Sequence, residues 1–303
     1  MNRILCPVDF SEHSRRALDH AVAIARWYES TITVLHVYAA APVAAFGPNH
    51  AEIPPMILTS IDRDQLLSDV KRFAEAEAAP GVAIEAVVRE GAPARTIVDE
   101  ADSMQADLLV MGTHGHSGFE RLMLGSVTEK VLRKASCPVM TVPARLPDAV
   151  PAGPILYKRI LCPVDFSESS LEALRYAVSL TQEADGQLTV LHVISREFEN
   201  TADMASLVHA AGMTIGEFLK ERDETLQRRL QELTAGTEWC RVESVTAHGK
   251  PWREVLRVAA ERQTDLIVMG VRGRGAADLM FFGSTTQHVV RQASCPVLTL
   301  RHT

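Results

Sequence analysis

Two glycine-rich segments contain the residues of this chain that are best suited to bind phosphate. The first reads GTHGHSGFERLMLGSVTEK from Gly112 to Lys130, and the second reads GVRGRGAADLMFFGSTTQH from Gly270 to His288. Both follow the spacing G-x2-G-x9-G-S. Glycine lets a backbone turn sharply beside a ligand, and a helix that opens at Gly-Ser presents N–H groups to an anion. The repeated spacing favours a phosphate site over simple turns and helix caps.

Neither segment matches a common nucleotide-binding signature. The spacing differs from the P-loop pattern G-x-x-x-x-G-K-[ST] and from the dinucleotide fingerprint G-x-G-x-x-G. Arg272 and Arg274 stand where the first segment has His114 and His116. These arginines have two possible roles, which the sequence does not separate: they pair with phosphate, or they are solvated at the surface. The histidines lack the spacing of a local metal-binding motif, so we predict no metal site.

The chain contains an internal repeat that sets its domain organisation. RILCPVDFSE occurs at Arg3 to Glu12 and again at Arg159 to Glu168, and ASCPV occurs near the end of each copy. We predict two domains, at residues 1–147 and 158–303, which we call the first and second halves. A linker rich in proline, at 148–157, joins them, because proline disfavours a continuous helix or strand.

Within each half, short β-branched runs alternate with helical patterns. In the first half the pattern predicts strands at 3–8, 31–37, 82–88, 107–111 and 138–142, and helices at 11–30, 60–79, 94–104 and 126–134. DLLVM and DLIVM are apolar at nearly every position, as expected when helices cover both faces of a parallel sheet. We therefore expect two tandem doubly wound α/β domains, each with an open five-stranded parallel sheet. Ligands of such domains bind beyond the carboxyl ends of the strands, where the glycine segments begin.

Composition and charge argue against some binding partners and cellular locations. The net charge of −7 and the pI near 5.9 oppose nucleic-acid binding. No apolar stretch of the sequence approaches the length of roughly 18 residues that is needed to span a bilayer. Its first residues lack the succession of basic, apolar and small residues that marks a signal peptide. We therefore expect a cytoplasmic protein. The five cysteines include no C-x-x-C pair, which favours reduced, buried thiols.

The chain resembles the tandem members of the universal stress protein family. CPVDFSE at the first strand, LHV at the second, the glycine spacing and GSVTEKVLRKASCPV carry the resemblance, which covers nearly all of both halves. It implies a Rossmann-like fold and membership of the ATP-binding branch, with Mg²⁺ as a companion of the nucleotide. It also implies pairing of the last strands, PVMTV and PVLTL, in an intrachain pseudo-dimer, with a homodimer as a further assembly.

The resemblance implies one adenine-nucleotide site in each half. Asp9 would meet the ribose or adenine beside Pro7 and Val8, and Val37 would pack on the adenine. For Asp9 and Asp165, capping of the following helix is the alternative interpretation. The residues that line the sugar and phosphates of the first site would be Met111, Gly112, Gly115, Gly125, Ser126, Val127 and Thr128. The second site would comprise Pro163, Val164, Asp165, Val193, Met269, Gly270, Gly273, Gly283, Ser284, Thr285 and Thr286.

These features favour a nucleotide-binding stress protein that acts as a regulator or interaction module. Hydrolysis would need a positioned metal and an oriented water, and the spacing identifies no second carboxylate or general base for them. We therefore name no catalytic residue and expect slow ATP hydrolysis at most. Two alternatives stay open: a slow ATPase or nucleotidyl-transfer enzyme, and a structural interaction module with vestigial sites.

Overall fold

The computed structural model describes residues 1–39, 62–77, 80–114, 124–144, 155–195, 241–271 and 283–301, together with single positions between 214 and 232. Gly115, His116, Arg272, Gly273 and Arg274 lie outside the described residues. The described chain forms two compact units. Unit 1 contains the described residues within 1–118 and 125–137, and unit 2 contains those from Pro138 onward.

Unit 1 is a parallel sheet with helices between its strands. The strand order is β3-β2-β1-β4, and each neighbouring pair is parallel. Ser11 caps the first helix, as the sequence predicts, because its side chain accepts from the Ser14 N–H. The strands are β1 (Arg3–Pro7), β2 (Thr31–Tyr38), β3 (Ala83–Glu90) and β4 (Leu108–Gly112). The helices are α1 (Glu12–Tyr28), α2 (Arg63–Glu75), α3 (Pro93–Ser103) and α4 (Ser126–Lys134).

Unit 2 repeats this arrangement and contains one additional strand. Its strand order is β5-β10-β9-β6-β7-β8. The described positions from Glu217 to Glu232 are helical. The strands are β5 (Val139–Val142), β6 (Arg159–Pro163), β7 (Gln187–Ile194), β8 (Arg241–His248), β9 (Leu266–Gly270) and β10 (Val297–Leu300). The helices are α5 (Glu168–Glu183), α6 (Pro251–Glu261) and α7 (Ser284–Gln292).

The last strand of the first half belongs to unit 2, where β5 pairs antiparallel with β10. The Thr141 hydroxyl donates to the Val297 carbonyl at 3.2 Å, and the Thr299 hydroxyl donates to the Val139 carbonyl at 3.0 Å. The predicted pairing of PVMTV with PVLTL is therefore observed. The doubly wound α/β class is confirmed, with a sheet that is mixed rather than wholly parallel. The domain limits 1–147 and 158–303 stay predictions.

The central strands are buried on both faces, as their sequences predict. Ile4, Leu5, Leu108 and Leu109 have no exposed surface, and the matching residues of β6 and β9 are buried to the same degree. Burial of these side chains supplies the main stabilisation of each sheet. In the part of the chain that the structure describes, no helix is long and apolar enough to cross a membrane.

Helix α2 is shorter than predicted. The pattern predicts a helix over 60–79, whereas α2 begins at Arg63 and ends at Glu75. Asp62 sets the start, because its carboxylate accepts from the N–H groups of Asp64 and Gln65. The backbone of Asp62 is extended, as expected of an N-cap residue, so the first helical residue is Arg63.

Candidate functional site

The carboxyl ends of β1, β2 and β4 meet at one edge of unit 1, because these strands are parallel. The Val8 N–H donates to the Leu35 carbonyl at 2.8 Å, which extends the pairing of β1 and β2 by one residue. The His36 ring then donates from Nδ1 to the Val8 carbonyl at 2.9 Å, since a carbonyl can only accept. His36 therefore fixes the chain as it leaves the sheet.

Unit 2 repeats these contacts at the ends of β6 and β7. The Val164 N–H donates to the Leu191 carbonyl at 2.8 Å, and His192 Nδ1 donates to the Val164 carbonyl at 2.7 Å. The histidine of each LHV motif thus has a positioning role. The sequence singled out LHV only as a strand motif, and the repetition of its histidine was the signal that we missed.

Asp9 links the end of β1 to the start of α1. Its Oδ1 accepts from the Ser11 N–H at 3.1 Å and from the Ser11 hydroxyl at 2.5 Å. Asp165 makes the same two contacts with Ser167, at 3.0 and 2.5 Å. Ser11 and Ser167 are the N-caps, so this carboxylate oxygen holds the capping serine, whereas the alternative interpretation expected the aspartate itself to cap the helix.

The turn between Asp9 and Ser11 holds an aromatic residue in the left-handed region of the backbone. Phe10 has φ of 64° and Phe166 has φ of 61°. For a side chain other than glycine, this conformation costs about 1–2 kcal/mol. The rings of Phe10 and His36 are 4.6 Å apart between centroids, and those of Phe166 and His192 are 5.0 Å apart. These ring contacts offset the free-energy cost of the left-handed backbone, and they help to position His36 and His192.

The glycine that ends β4 is required by close packing. A Cβ on Gly112 would lie 3.2 Å from the His13 carbonyl oxygen and 3.2 Å from that of His114. A Cβ on Gly270 would lie 2.7 Å from Ser169 Oγ and 2.8 Å from the Ser169 carbonyl carbon. Sequence reasoning assigned both glycines to ligand approach alone. The structure adds a second reason, which is contact with the first turn of α1 or α5.

Two hydrogen bonds fasten the start of α4 to the end of β4. The Gly125 N–H donates to the Thr113 carbonyl at 2.8 Å, and the Thr128 hydroxyl donates to the Gly112 carbonyl at 2.9 Å. The Thr128 residue is 3% exposed. We expected the Thr128 hydroxyl to face phosphate, but it faces the strand. The backbone N–H of Thr128 is therefore the group that could contact an anion.

The start of α7 is fastened in the same way. The Gly283 N–H donates to the Val271 carbonyl at 3.0 Å, and the Thr286 hydroxyl donates to the Gly270 carbonyl at 3.0 Å. Thr286 is also 3% exposed. The two halves thus place the helix against the strand with matching hydrogen bonds.

The first turn of α4 presents the groups best suited to an anion. Gly125 is the N-cap, and it makes no side-chain capping bond. The N–H groups of the first helical residues have no acceptor within the helix, and the helix dipole adds positive potential there. In α4 these are Ser126, which is exposed, followed by Val127 and Thr128. In α7 they belong to Ser284, Thr285 and Thr286.

Apolar residues line the sheet side of the same edge. Val8 and Met111 are 5% and 6% exposed, and Pro7 is also buried. Val37 is half-buried in β2, opposite Arg89 of β3. The second half has Val164 and Met269 buried, and Pro163 and Val193 partly exposed. The structure thus brings the described candidates of each half to one edge, while Gly115 and Gly273 lie outside the described residues.

Two histidines that lie far apart in sequence meet beside this edge. The rings of His13 and His114 are 6.1 Å apart between centroids, and the Thr113 hydroxyl lies 2.9 Å from His114 Nδ1. Sequence reasoning considered a gathering of His13 with His114 only as a zinc site, which the spacing did not support. Among the residues that the structure describes, no group of three or more His, Cys, Asp or Glu side chains could hold a metal ion.

The described cysteines are free thiols. Cys6 and Cys162 are fully buried in β1 and β6, and burial raises the pKa of each well above its usual range. Burial also raises the pKa of Cys137 to about 11 and that of Cys295 to about 12. Because the thiolate is the nucleophile, these side chains act as small apolar groups.

Comparison with known families gives one match in each half. The model of the Universal stress protein family matches residues 1–143 and 156–301. A universal stress protein of Mycolicibacterium smegmatis is 26% identical over 314 aligned residues, which cover 98% of this chain and 96% of that protein. Universal stress protein MJ0531 of Methanocaldococcus jannaschii is 36% identical over 140 residues, which cover 46% of this chain and 81% of that protein.

Solved structures show the same architecture over the whole chain. A universal stress protein from Archaeoglobus fulgidus DSM 4304 superimposes with a TM-score of 0.64 at 25% identity. The alignment covers 99% of this chain and 96% of that chain. PA1789 of Pseudomonas aeruginosa, described as functionally unknown, has a TM-score of 0.68 at 19% identity, and this likeness shows the fold alone.

Proposed function

The chain belongs to the universal stress protein family, and from this premise we propose that each half binds an adenine nucleotide, ATP, at the carboxyl edge of its sheet. The observation that carries the proposal is the duplicated junction between strand and helix. In both halves the glycine spacing G-x2-G-x9-G-S coincides with a helix start that has glycine as its N-cap and that threonine and glycine hydrogen bonds hold against the strand.

The phosphates would bind at the start of α4 and of α7. The backbone N–H groups of Ser126, Val127 and Thr128 would donate to phosphate oxygens, and the exposed Ser126 hydroxyl would add a fourth donor. Gly125 has no Cβ, so a phosphate can approach the helix end closely. Mg²⁺ would accompany ATP as the ion of its phosphates.

The base and sugar would lie toward the buried end of the site. Val8, Val37 and Met111 provide apolar surface on which adenine can pack, and the Asp9 carboxylate lies at the end of β1 beside them. The proposed first site comprises Pro7, Val8, Asp9, Val37, Met111, Gly112, Gly115, Gly125, Ser126, Val127 and Thr128. The proposed second site comprises Pro163, Val164, Asp165, Val193, Met269, Gly270, Gly273, Gly283, Ser284, Thr285 and Thr286.

Occupancy would act as a signal in a cytoplasmic stress response. A nucleotide that bridges α1, β4 and α4 would change the surface available to a protein partner. The protein would therefore serve as a nucleotide-responsive regulator or interaction module. Its free, buried thiols fit a reducing compartment.

A charge placed at the helix start tests the proposal. Asp is a favourable first residue of a helix, so Ser126→Asp and Ser284→Asp preserve the fold while a carboxylate repels phosphate. We expect calorimetry to find two ATP sites in the native chain, one in each single variant and none in the double variant. Each altered site should bind at least about tenfold more weakly. Ser126→Asn and Ser284→Asn, which lack the charge, are the matched controls and should retain both sites.

The alternatives have distinct outcomes. Multiple-turnover phosphate release that Ser126→Asp abolishes would favour an ATPase or nucleotidyl-transfer enzyme. A folded native chain that binds no ATP, and from which mass spectrometry detects no released nucleotide after denaturation, would overturn the proposal. That result would favour an interaction module with vestigial sites.

A further inference from the structure

We propose that His13 and His114 form a proton-responsive clamp on the phosphates of the first site, and that the second site lacks it. Protonated imidazoles would add positive charge beside the nucleotide, so that the first site would bind ATP more tightly as the pH falls. This inference rests on the proposed function, because it assigns a regulatory role to residues that flank the proposed phosphate site.

The fold brings both histidines to the junction of β4 and α4. The His13 carbonyl oxygen lies 3.2 Å from where a Cβ on Gly112 would be, at the end of the strand. The His114 Cα lies 3.7 Å from the corresponding position on Gly125, which caps the helix. Both residues therefore lie beside the junction at which we propose phosphate binding, and their rings are 6.1 Å apart between centroids.

The His13 ring has a hydrogen-bonding atom without a partner among the described residues. Its Nδ1 is buried, and no donor or acceptor of the described residues reaches it. A buried polar atom without a partner is rare in folded proteins, and a ligand is one of the explanations for it. A phosphate oxygen would supply an acceptor for a protonated Nδ1.

Two adjacent imidazoles couple their protonation to the binding of an anion. Positive charges this close repel one another, so protonation of one ring opposes protonation of the other. A phosphate near both rings removes that opposition, and nucleotide binding would then be accompanied by proton uptake. Neutral pH is where histidine responds, because its ordinary pKa lies near 6.5.

Other charged groups near the pair do not reproduce this response. Glu12 pairs with Arg16 at 2.8 Å on α1, and Glu129 pairs with Arg133 at 2.8 Å on α4. β4 carries no charged residue between Leu108 and Gly112. Among the described residues, the other charged side chains and histidines on α1, on α4 and at the ends of β1 and β2 are Asp9, Glu12, Arg15, Arg16, Asp19, His20, Arg26, His36, Glu129, Lys130, Arg133 and Lys134.

The second site has other residues at the matching positions. Ser169 follows Glu168 as His13 follows Glu12, and its hydroxyl lies 3.3 Å from that of Ser167. Arg272 stands in the sequence where the first half has His114, and an arginine stays charged across the neutral range. In the sequence, the second half therefore lacks a counterpart of the pair formed by His13 and His114.

Calorimetry of the full chain can isolate the first site. In a Ser284→Asp background, ATP is titrated at about pH 8 and at about pH 6, each in two buffers with different ionisation enthalpies. We expect affinity about fivefold to tenfold higher at the lower pH, with net proton uptake. His13→Ser, which introduces the residue of the second half, should reduce both effects. His114→Asn is the second variant, and circular dichroism verifies folding of each.

The result separates this inference from the proposed function. ATP also titrates near neutral pH, but its contribution is the same in every variant and cancels in the differences. Equal pH dependence and equal proton uptake in the parent, His13→Ser and His114→Asn would overturn the clamp while leaving ATP binding intact. Loss of ATP binding in every form at both pH values would overturn the proposed function instead.

Discussion

In both halves a threonine in the first turn of a helix donates its hydroxyl to the glycine that ends the preceding strand. The Thr128 bond to Gly112 measures 2.9 Å, and the Thr286 bond to Gly270 measures 3.0 Å. The residues around this junction differ. His13 and Asp19 of α1 correspond to Ser169 and Arg175 of α5. The comparison teaches that the backbone frame of the proposed site is duplicated, whereas the side chains of the facing helix differ between the halves.

The packing of the terminal glycine provides the largest difference that can be tested. We expect Gly270→Ala to lower the free energy of unfolding by about 3 kcal/mol and Gly112→Ala by about 1 kcal/mol. The reason is that the new Cβ would lie 2.8 Å from backbone carbon of Ser169 in unit 2, but no closer than 3.2 Å to His13 in unit 1. Urea denaturation followed by circular dichroism measures both losses. Equal losses would show that the first turn of α5 adjusts as easily as that of α1.

The threonine bonds test whether the shared frame is equally strong. Thr128→Val and Thr286→Val keep the side-chain shape but leave a buried carbonyl without this donor. Each substitution should cost about 1–2 kcal/mol of unfolding free energy. Hydrogen exchange of the amides at the start of α4 and α7 should rise in the variant that affects each helix. The duplicated frame would be contradicted if one variant were neutral and the other were not.

The sequence was sufficient to predict features that depend on neighbouring residues. The Ser11 cap, the helix over 126–134 and the buried strands around Leu109 follow from local pattern and hydrophobicity, and the structure confirms them. The family and the doubly wound fold class could also be predicted, because long motifs recur in the same order in both halves.

Contacts between segments that are distant in the sequence could not be predicted from it. Gly112 packs against the His13 backbone, and the Thr128 hydroxyl faces the strand, because tertiary packing of α1 and α4 on β4 decides both. The left-handed backbone of Phe10 has no signal in its residue type, since bulky side chains rarely adopt it. For β5, the pattern predicted a strand, and only the resemblance suggested its partner β10.

The smallest expected effect concerns an acidic contact that only the first half contains. Burial raises the pKa of Asp19 to about 7, and a hydrogen bond with Glu77 and its charge add to the shift, while Arg15 and Arg16 oppose it. Arg15 also pairs with Glu77 at 2.6 Å, which ties α1 to the residues that follow α2. In the second half, Leu171 and Arg175 occupy the positions of Arg15 and Asp19.

A raised carboxyl pKa means that the folded protein binds this proton more tightly than the unfolded chain does. The stabilisation is therefore complete below the unfolded pKa, near 4, and is lost as the pH rises through about 7. Asp19→Asn, which cannot ionise, should be more stable than the native chain at pH near 8 by about 1 kcal/mol, and its stability should vary less between about pH 4 and 7. Urea denaturation across that range measures the difference. Arg175→Gln is the matched control in α5 and should leave the slope with pH unchanged, whereas an unchanged slope in Asp19→Asn would show that the carboxyl ionises freely in the folded protein.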